Sequence, residues 1–179
     1  MNIEAMEQSL EFSKEEIAAR VKELGEQITK DYEGKNLLIV PLLKGAFIFA
    51  SDLIREINLK LAIDFMTTSS YENAFENLGT VKIMKDLEKD VREYDVLIVD
   101  DIVDSAITLK TISEYILKKN PKSLKTCTFL DKPERRQVAF SPDYCGFEVE
   151  NNFIVGYGLD YGDFYRNVPY IFSVRPKES

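Results

Sequence analysis

Apolar residues along this chain fall into two kinds of run, one at helical spacing and one continuous over strand length, and their alternation predicts an α/β architecture. Ser13-Lys14-Glu15-Glu16 reads as a capping box, Ser13 accepting from the first helical turn and Glu16 reaching back. Ile17, Val21, Leu24 and Ile28 then follow at helical spacing, and this opening helix ends before Gly34. Leu37 to Leu43 is an apolar run of strand length, followed by Lys44-Gly45 and a helix through Ile57. Leu61 to Thr68 mixes β-branched and aromatic residues as a third strand would, whereas Ser69 to Gly79 is polar, lacks periodicity and reads as a mobile loop. Val81 to Met84 reads as a short strand returning to the core. Val96 to Val99 and Leu124 to Leu130 are buried strands, and the helical pattern from Ile107 to Asn120 joins them as a βαβ crossover. From Pro133 onward the pattern changes to aromatic-rich segments separated by Pro and Gly, with Phe153-Ile154-Val155 and Tyr170-Ile171-Phe172 as strands. The expected architecture is a single domain over residues 1–179. It has a central, mostly parallel sheet flanked by helices, with about 133–179 forming a small hood or lid.

The composition supports this outline and narrows the chemistry. No Pro-, Gly- or Ser-rich linker divides the 179 residues. A chain of this length buries roughly 70% of its unfolded surface, enough for a core without covalent staples. Lys and Arg number 23 against 31 Asp and Glu, a formal charge of -8, so the molecule repels phosphate backbones and nucleic acid is not an expected partner. Met1 to Phe12 carries neither a basic leader nor an apolar segment, and no apolar run approaches the roughly 20 residues of a membrane span. A soluble, cytoplasmic protein without membrane contact is expected. Cys127 and Cys145 sit in apolar or aromatic surroundings and read as small buried residues rather than a disulfide. The chain contains no histidine, which rules out Ser-His-Asp triads, Cys-His dyads and zinc sites of the usual Cys/His type. Acid–base work must fall to carboxylates, lysine or tyrosine, and any metal should be a hard cation held by oxygen, with Mg2+ the natural choice beside a phosphorylated substrate.

The segment Val96 to Leu109 carries the densest chemistry. Four apolar residues deliver Asp100, Asp101 and Asp104, then Ser105 and Thr108, onto a strand-to-helix turn. Such a turn lies at the carboxyl edge of the sheet, where the following helix presents free N–H groups and a positive dipole end to an anion. Adjacent acids at a strand end suit two neighbouring ribose hydroxyls, and the stretch from Asp104 through Ser105, Ala106 and Ile107 to Thr108 can wrap a phosphate. Taken singly, Asp100 and Asp101 also fit a solvated strand end or the acidic cluster of a phospho-receiver domain, and Ser105 and Thr108 fit ordinary helix capping. Their combined register favours a ribose phosphate.

This register resembles the signature of the type I phosphoribosyltransferases: an apolar strand, two acids, two apolar residues, then Asp, Ser or Thr, Gly, any residue and Thr. Further segments make the chain similar to the hypoxanthine-guanine branch of that family. They are Leu42-Leu43-Lys44-Gly45-Ala46-Phe47, Ser69-Ser70-Tyr71, Leu130-Asp131-Lys132-Pro133-Glu134-Arg135-Arg136 and Val155-Gly156-Tyr157-Gly158-Leu159-Asp160-Tyr161. Their order and spacing fit nearly the whole chain. The resemblance implies a type I phosphoribosyltransferase fold and transfer of a 5-phosphoribosyl group from phosphoribosyl pyrophosphate to a 6-oxopurine, with Mg2+ required. It also implies a homodimer or homotetramer.

The same resemblance implies roles for individual residues. Asp104 takes a proton from the purine. Lys44 and Gly45 belong to a pyrophosphate loop containing a non-proline cis peptide, joined by Arg166, while Asp100, Asp101 and Asp104 to Thr108 grip the ribose phosphate. Lys132 donates to the 6-oxo group, Phe153 stacks on the ring, and Ile154 contacts the base edge through its backbone. Asp160 is a magnesium-associated acid at the purine end, which makes Asp100, Asp101 and Asp160 the expected metal-linked set. Ser70 and Tyr71 belong to a closing loop. Two positions depart from the family pattern: Ala106 stands where the family carries glycine, and Asn152 where lysine is common. Alanine at a positive φ, or a Cβ in the path of the phosphate, would weaken donor binding by about 1 kcal/mol or more. Arg135-Arg136 reads as a solvated face. A transferase of the same class acting on xanthine, adenine or orotate, and an RNA-binding attenuation regulator on the same fold, are the alternatives, and acidity argues against the second.

Overall fold

Strands β2 (Leu37–Leu43) and β6 (Asp95–Val103) are neighbours in a seven-stranded sheet, and the connections leaving them run to opposite sides. The computed structural model, which describes residues 3, 6–71 and 80–176, begins with β1 (Glu7–Phe12) and α1 (Lys14–Asp31) ahead of β2. Helix α2 (Phe47–Glu56) then leads to β3 (Ala62–Ile63), β4 (Met66–Tyr71) and β5 (Thr80–Lys85). After β6 come α3 (Ile107–Leu117), β7 (Ser123–Asp131), β8 (Tyr144–Glu148), β9 (Phe153–Val155) and β10 (Ile171–Arg175). The main sheet has the order β5-β4-β2-β6-β7-β8, with β3 paired to β2, and all its pairings are parallel except β4 with β5.

The central strands read as continuous apolar runs because both faces are covered. Leu37, Ile39, Leu97 and Val99 face Ile17, Val21, Leu24 and Ile28 of α1 and Phe49 and Leu53 of α2. Their alternates Leu38, Val40, Val96 and Ile98 pack with Leu109, Ile112 and Ile116 of α3. The capping box at the start of α1 forms as its sequence predicts: Ser13 Oγ accepts from the Glu16 N–H at 3.2 Å, and Glu16 Oε2 accepts from the Ser13 N–H at 2.8 Å.

A second, three-stranded antiparallel sheet has the order β1-β10-β9. Three elements differ from the sequence reading. Strand β1 lies in a segment read only for its lack of a leader; its Leu10 and Phe12 pair with β10, a contact visible only once the chain has folded back. Strand β8, within the stretch read as hood, instead extends the main sheet beside β7. Gly146 permits this, because a Cβ there would overlap the Phe129 carbonyl. Arg20 of α1 donates to the exposed-edge carbonyls of Cys145 and Gly146, each at 2.8 Å. The third strand divides into β3 and β4 around buried Asp64, whose carboxylate accepts from the N–H groups of Phe65, Glu88 and Lys89, each at 2.8 Å. The loop expected over Ser69 to Gly79 is strand as far as Tyr71, and 72–79 lie outside the described residues. Both cysteines are free, with Cys127 buried.

Just past β5, Asp86 ties the foot of the β4–β5 hairpin to α3, accepting from Tyr115 Oη at 2.5 Å and from Lys119 Nζ at 2.7 Å. Partial burial opposes its ionisation, but the Lys119 ammonium, the Tyr115 hydroxyl and the Leu87 N–H outweigh it and hold the carboxyl below its ordinary value. A carboxylate depressed on folding stabilises above the unfolded pKa, near 4, and loses that contribution as pH falls through the folded value. Asp86→Asn is therefore expected to cost at most about 1 kcal/mol at pH 7, since the pair is partly exposed and screened. Paired melting curves should show the gap to wild type closing below about pH 4; a gap that persists there assigns the effect to packing.

Candidate active site

The candidate site lies at the carboxyl ends of the neighbouring strands β2 and β6, the topological switch at which open α/β sheets bind their ligands. The turn after β2 supplies Lys44 and Gly45, and the Leu43–Lys44 peptide bond is cis. A Cβ at Gly45 would fall on the Asp101 carboxylate, and one at Gly158 would press on the Gly45 carbonyl. Three segments distant in sequence thus meet within van der Waals reach, and glycine is what lets them. Lys44 itself extends into solvent, with its Nζ 4.0 Å from Asp163 Oδ1, an exposed pair of little energetic weight.

Asp100 and Asp101 sit side by side at the end of β6, both half-buried. Burial, reinforced by the neighbouring charge of Asp101, pushes the Asp100 carboxyl well above its ordinary value. Burial also raises Asp101, against the pull of a hydrogen bond from Asp100, backbone N–H groups and the more distant Arg166 guanidinium. Two crowded acids that resist ionisation together form a site that a cation would relieve, and their donor atoms are all oxygen, as a hard ion requires. Among the described residues no group of three or more acids or thiols converges on a single metal position. Asp160, read as a magnesium-associated acid, is paired with Arg166 Nη2 at 2.6 Å, while Arg166 Nη1 donates to the Gly158 carbonyl at 2.6 Å. Arg166 thereby fastens the turn that presses on Gly45.

Between β6 and α3 the chain makes a tight turn over residues 104–106. Ser105 Oγ accepts from the Ile107 N–H at 3.4 Å, and Thr108 stands in the first turn of α3. Ala106 is the N-cap residue, at φ 66 and ψ 2, so the positive φ feared from the sequence is real. The steric half of that concern is not met. Ala106 is 4% exposed and belongs to the apolar cluster with Val103, Leu109 and Ile112, so its methyl lies in the core. Left-handed strain of roughly 1–2 kcal/mol is offset by about 0.8 kcal/mol of methyl burial. Ala106→Gly should accordingly leave the Michaelis constant for a phosphorylated donor within roughly twofold and stability within about 1 kcal/mol; a clearly lower constant in steady-state assays would show that the methyl obstructs the anion.

At the other end of the candidate site stand the residues read as base-contacting. Lys132, 7% exposed, donates from Nζ to the Asn152 carbonyl at 2.6 Å. Burial lowers its pKa; the Asp104 charge opposes that and the Arg135 charge adds to it. Phe153 opens β9 with its ring 53% exposed, meeting Tyr161 edge to face at 5.7 Å, while Ile154 is buried. Asp104 does not cap α3; its Oδ1 lies 2.5 Å from Arg135 Nε. Ser70 and Tyr71 end β4, ahead of the residues left undescribed.

The reading of Arg135-Arg136 as a solvated face is corrected. Arg135 pairs with Asp104, and Arg136 is largely buried against Asp131. Arg136 also donates to the carbonyls of Val103, Asp104, Lys132 and Phe140. The available signal was Asp131 itself, a carboxylate ending an apolar strand, which needs a cation once buried.

Comparison with known proteins matches residues 11–162 to the phosphoribosyl transferase domain. The hypoxanthine-guanine phosphoribosyltransferase of Aquifex aeolicus is 49% identical over 161 residues, covering 89% of this chain and 90% of that protein. The hypoxanthine phosphoribosyltransferase of Escherichia coli K12 is 48% identical over the same shares. A crystal structure of the Staphylococcus aureus hypoxanthine phosphoribosyltransferase superposes with a TM-score of 0.91 at 44% identity, covering 97% of this chain and 94% of that one.

Proposed function

The chain belongs to the phosphoribosyltransferase family, and from that premise we propose that it transfers the 5-phosphoribosyl group from phosphoribosyl pyrophosphate to hypoxanthine or guanine, a purine-salvage reaction yielding IMP or GMP and pyrophosphate. One juxtaposition supports this reading: the helix-opening turn carries Asp104 against Arg135, and nearby the buried Lys132 ammonium is held by the Asn152 carbonyl directly ahead of the exposed Phe153 ring. The turn from Asp104 to Thr108 takes the 5-phosphate on the N–H groups opening α3, and Asp100 and Asp101 accept from the ribose hydroxyls. Lys44, Gly45 and Arg166 hold the pyrophosphate. Phe153 stacks on the purine, the Ile154 backbone reads its edge, and Asp160 closes that end beside Arg166.

The bond from the sugar carbon to a purine ring nitrogen forms as the bond to the pyrophosphate oxygen breaks, and the ring N–H proton passes to Asp104. Positioning and charge stabilisation carry most of the barrier reduction, because the sugar becomes oxocarbenium-like and the leaving group is highly charged. Lys132 donates to a 6-oxo group and has nothing to offer a 6-amino group, which selects against adenine. Mg2+ fits Asp100 and Asp101 and, when bound, neutralises pyrophosphate charge. The resemblance gives Ser70 and Tyr71 the part of shielding the reacting centre from water. Exposed Phe47, Phe65 and Met84 are apolar surface that a homodimer or homotetramer would cover. No helix among the described residues is long and apolar enough to cross a membrane.

Initial rates with phosphoribosyl pyrophosphate, Mg2+ and adenine, guanine, hypoxanthine, xanthine or orotate in turn test the proposal. Nucleotide is expected from hypoxanthine or guanine and not from adenine. Turnover of adenine or orotate alone would assign a different acceptor, and no turnover with any base would remove the reading.

A further inference from the structure

We propose that Arg135 is a positioning residue for purine attack, aiming the Asp104 carboxylate and coupling it to the Asn151 amide just ahead of the stacking ring. This inference rests on the functional reading above and adds to it a residue with no assigned part. Arg135 ends the short helical turn Pro133–Arg135 that follows β7. Its guanidinium spans two segments, with Nε 2.5 Å from Asp104 Oδ1 and Nη1 donating to Asn151 Oδ1 at 3.1 Å. The next residue, Asn152, accepts from Lys132 Nζ at 2.6 Å. Both charged groups read as contacting the base, Lys132 and Asp104, are thus tied to one Asn151-Asn152 turn, and Phe153 follows it directly.

Stability does not account for this arrangement. The Arg135 and Asp104 side chains remain 49% and 41% exposed, and ion pairs of that kind contribute little to folding. Orientation does account for it. A carboxylate with one oxygen drawn against a guanidinium is restricted in direction and keeps the other oxygen for a second donor, which is what accepting a proton from a purine N–H requires. The Asn151 contact sets that direction relative to Phe153, so the ring that carries the base and the group that takes its proton move together.

The test uses the full chain, the variants Arg135→Gln, Arg135→Lys and Asn151→Ala, and two acceptors, hypoxanthine and its 8-aza analogue, whose N–H is more acidic. Arg135→Gln should lower kcat with hypoxanthine about tenfold, as a misdirected Asp104 carboxylate implies, with the donor KM within roughly twofold. With the 8-aza acceptor the loss should shrink to about threefold or less, because a more acidic proton depends less on a well-aimed base. Arg135→Lys should recover only part of kcat, since an ammonium pairs with Asp104 without spanning to Asn151, and Asn151→Ala should give a loss of about threefold. Unchanged kcat in Arg135→Gln, or equal losses with both acceptors, overturns the proposal while leaving the enzyme assignment intact. Absence of nucleotide formation by the wild-type chain overturns the assignment and this inference with it.

Discussion

Asp104→Asn is expected to lower kcat by about 10²- to 10⁴-fold, the range for loss of a general base. The substitution is nearly isosteric, and the amide oxygen can still sit against Arg135, whose Nε lies 2.5 Å from Oδ1. No helix cap is lost, because α3 is capped at Ala106 without any contribution from the Asp104 side chain. What disappears is the negative charge and the ability to take a proton. Thermal stability should therefore stay within about 1 kcal/mol of wild type, as for a partly exposed pair. The donor KM should change little, since the proposed phosphate contacts are the backbone N–H groups of the turn. Steady-state kinetics with hypoxanthine, run beside a melting curve, separate these quantities. A variant retaining a third or more of wild-type kcat would show that another group accepts the proton.

The layered core was legible in the sequence because burial on both faces leaves its mark in composition: Leu37–Leu43 and Val96 to Val99 are unbroken apolar runs. The helix signals were local as well, and the Ser13–Glu16 box is fully encoded within four residues. The central acids could be placed because a strand, a turn and a helix follow one another without a gap, so sequence order and spatial order coincide. Pairings between remote segments were not legible. Strand β1 meets β10 across the length of the chain, and nothing within Glu7–Phe12 names its partner. Strand β8 was absorbed into the hood because its place beside β7 depends on a glycine fitting under the Phe129 carbonyl. The metal-linked acids show the same limit: Asp160 carries the right chemistry, but its pairing with Arg166 appears only in three dimensions. Adjacent arginines resemble solvated charge until topology puts Asp131, Val103 and Asp104 around one of them.

Removal of that buried guanidinium should be the most damaging single change to stability. Arg136 has a side chain only 17% exposed, against 9% for its partner Asp131, and a buried pair broken on one side typically costs about 3–5 kcal/mol. For a chain of this size, Arg136→Met should lower Tm by about 10 °C. The loss has two sources that a double mutant separates. Asp131 is left as an unpaired buried charge, and carbonyls that Arg136 satisfied lose a donor; Val103 keeps the Lys132 N–H and Lys132 keeps the Arg135 N–H. The Asp104 and Phe140 carbonyls depend more heavily on the guanidinium. Asp131→Asn combined with Arg136→Met should recover the charge part and remain about 1–3 kcal/mol below wild type, the cost of the unmet backbone acceptors. Full recovery in the double mutant would mean that the carbonyl bonds contribute nothing, and a single-mutant loss below about 1 kcal/mol would mean that solvent reaches the pair freely. Because the Asp104 carbonyl is one of the acceptors, the double mutant should also show reduced kcat at temperatures where it is fully folded, linking the fastening of this loop to the aim of the carboxylate it carries.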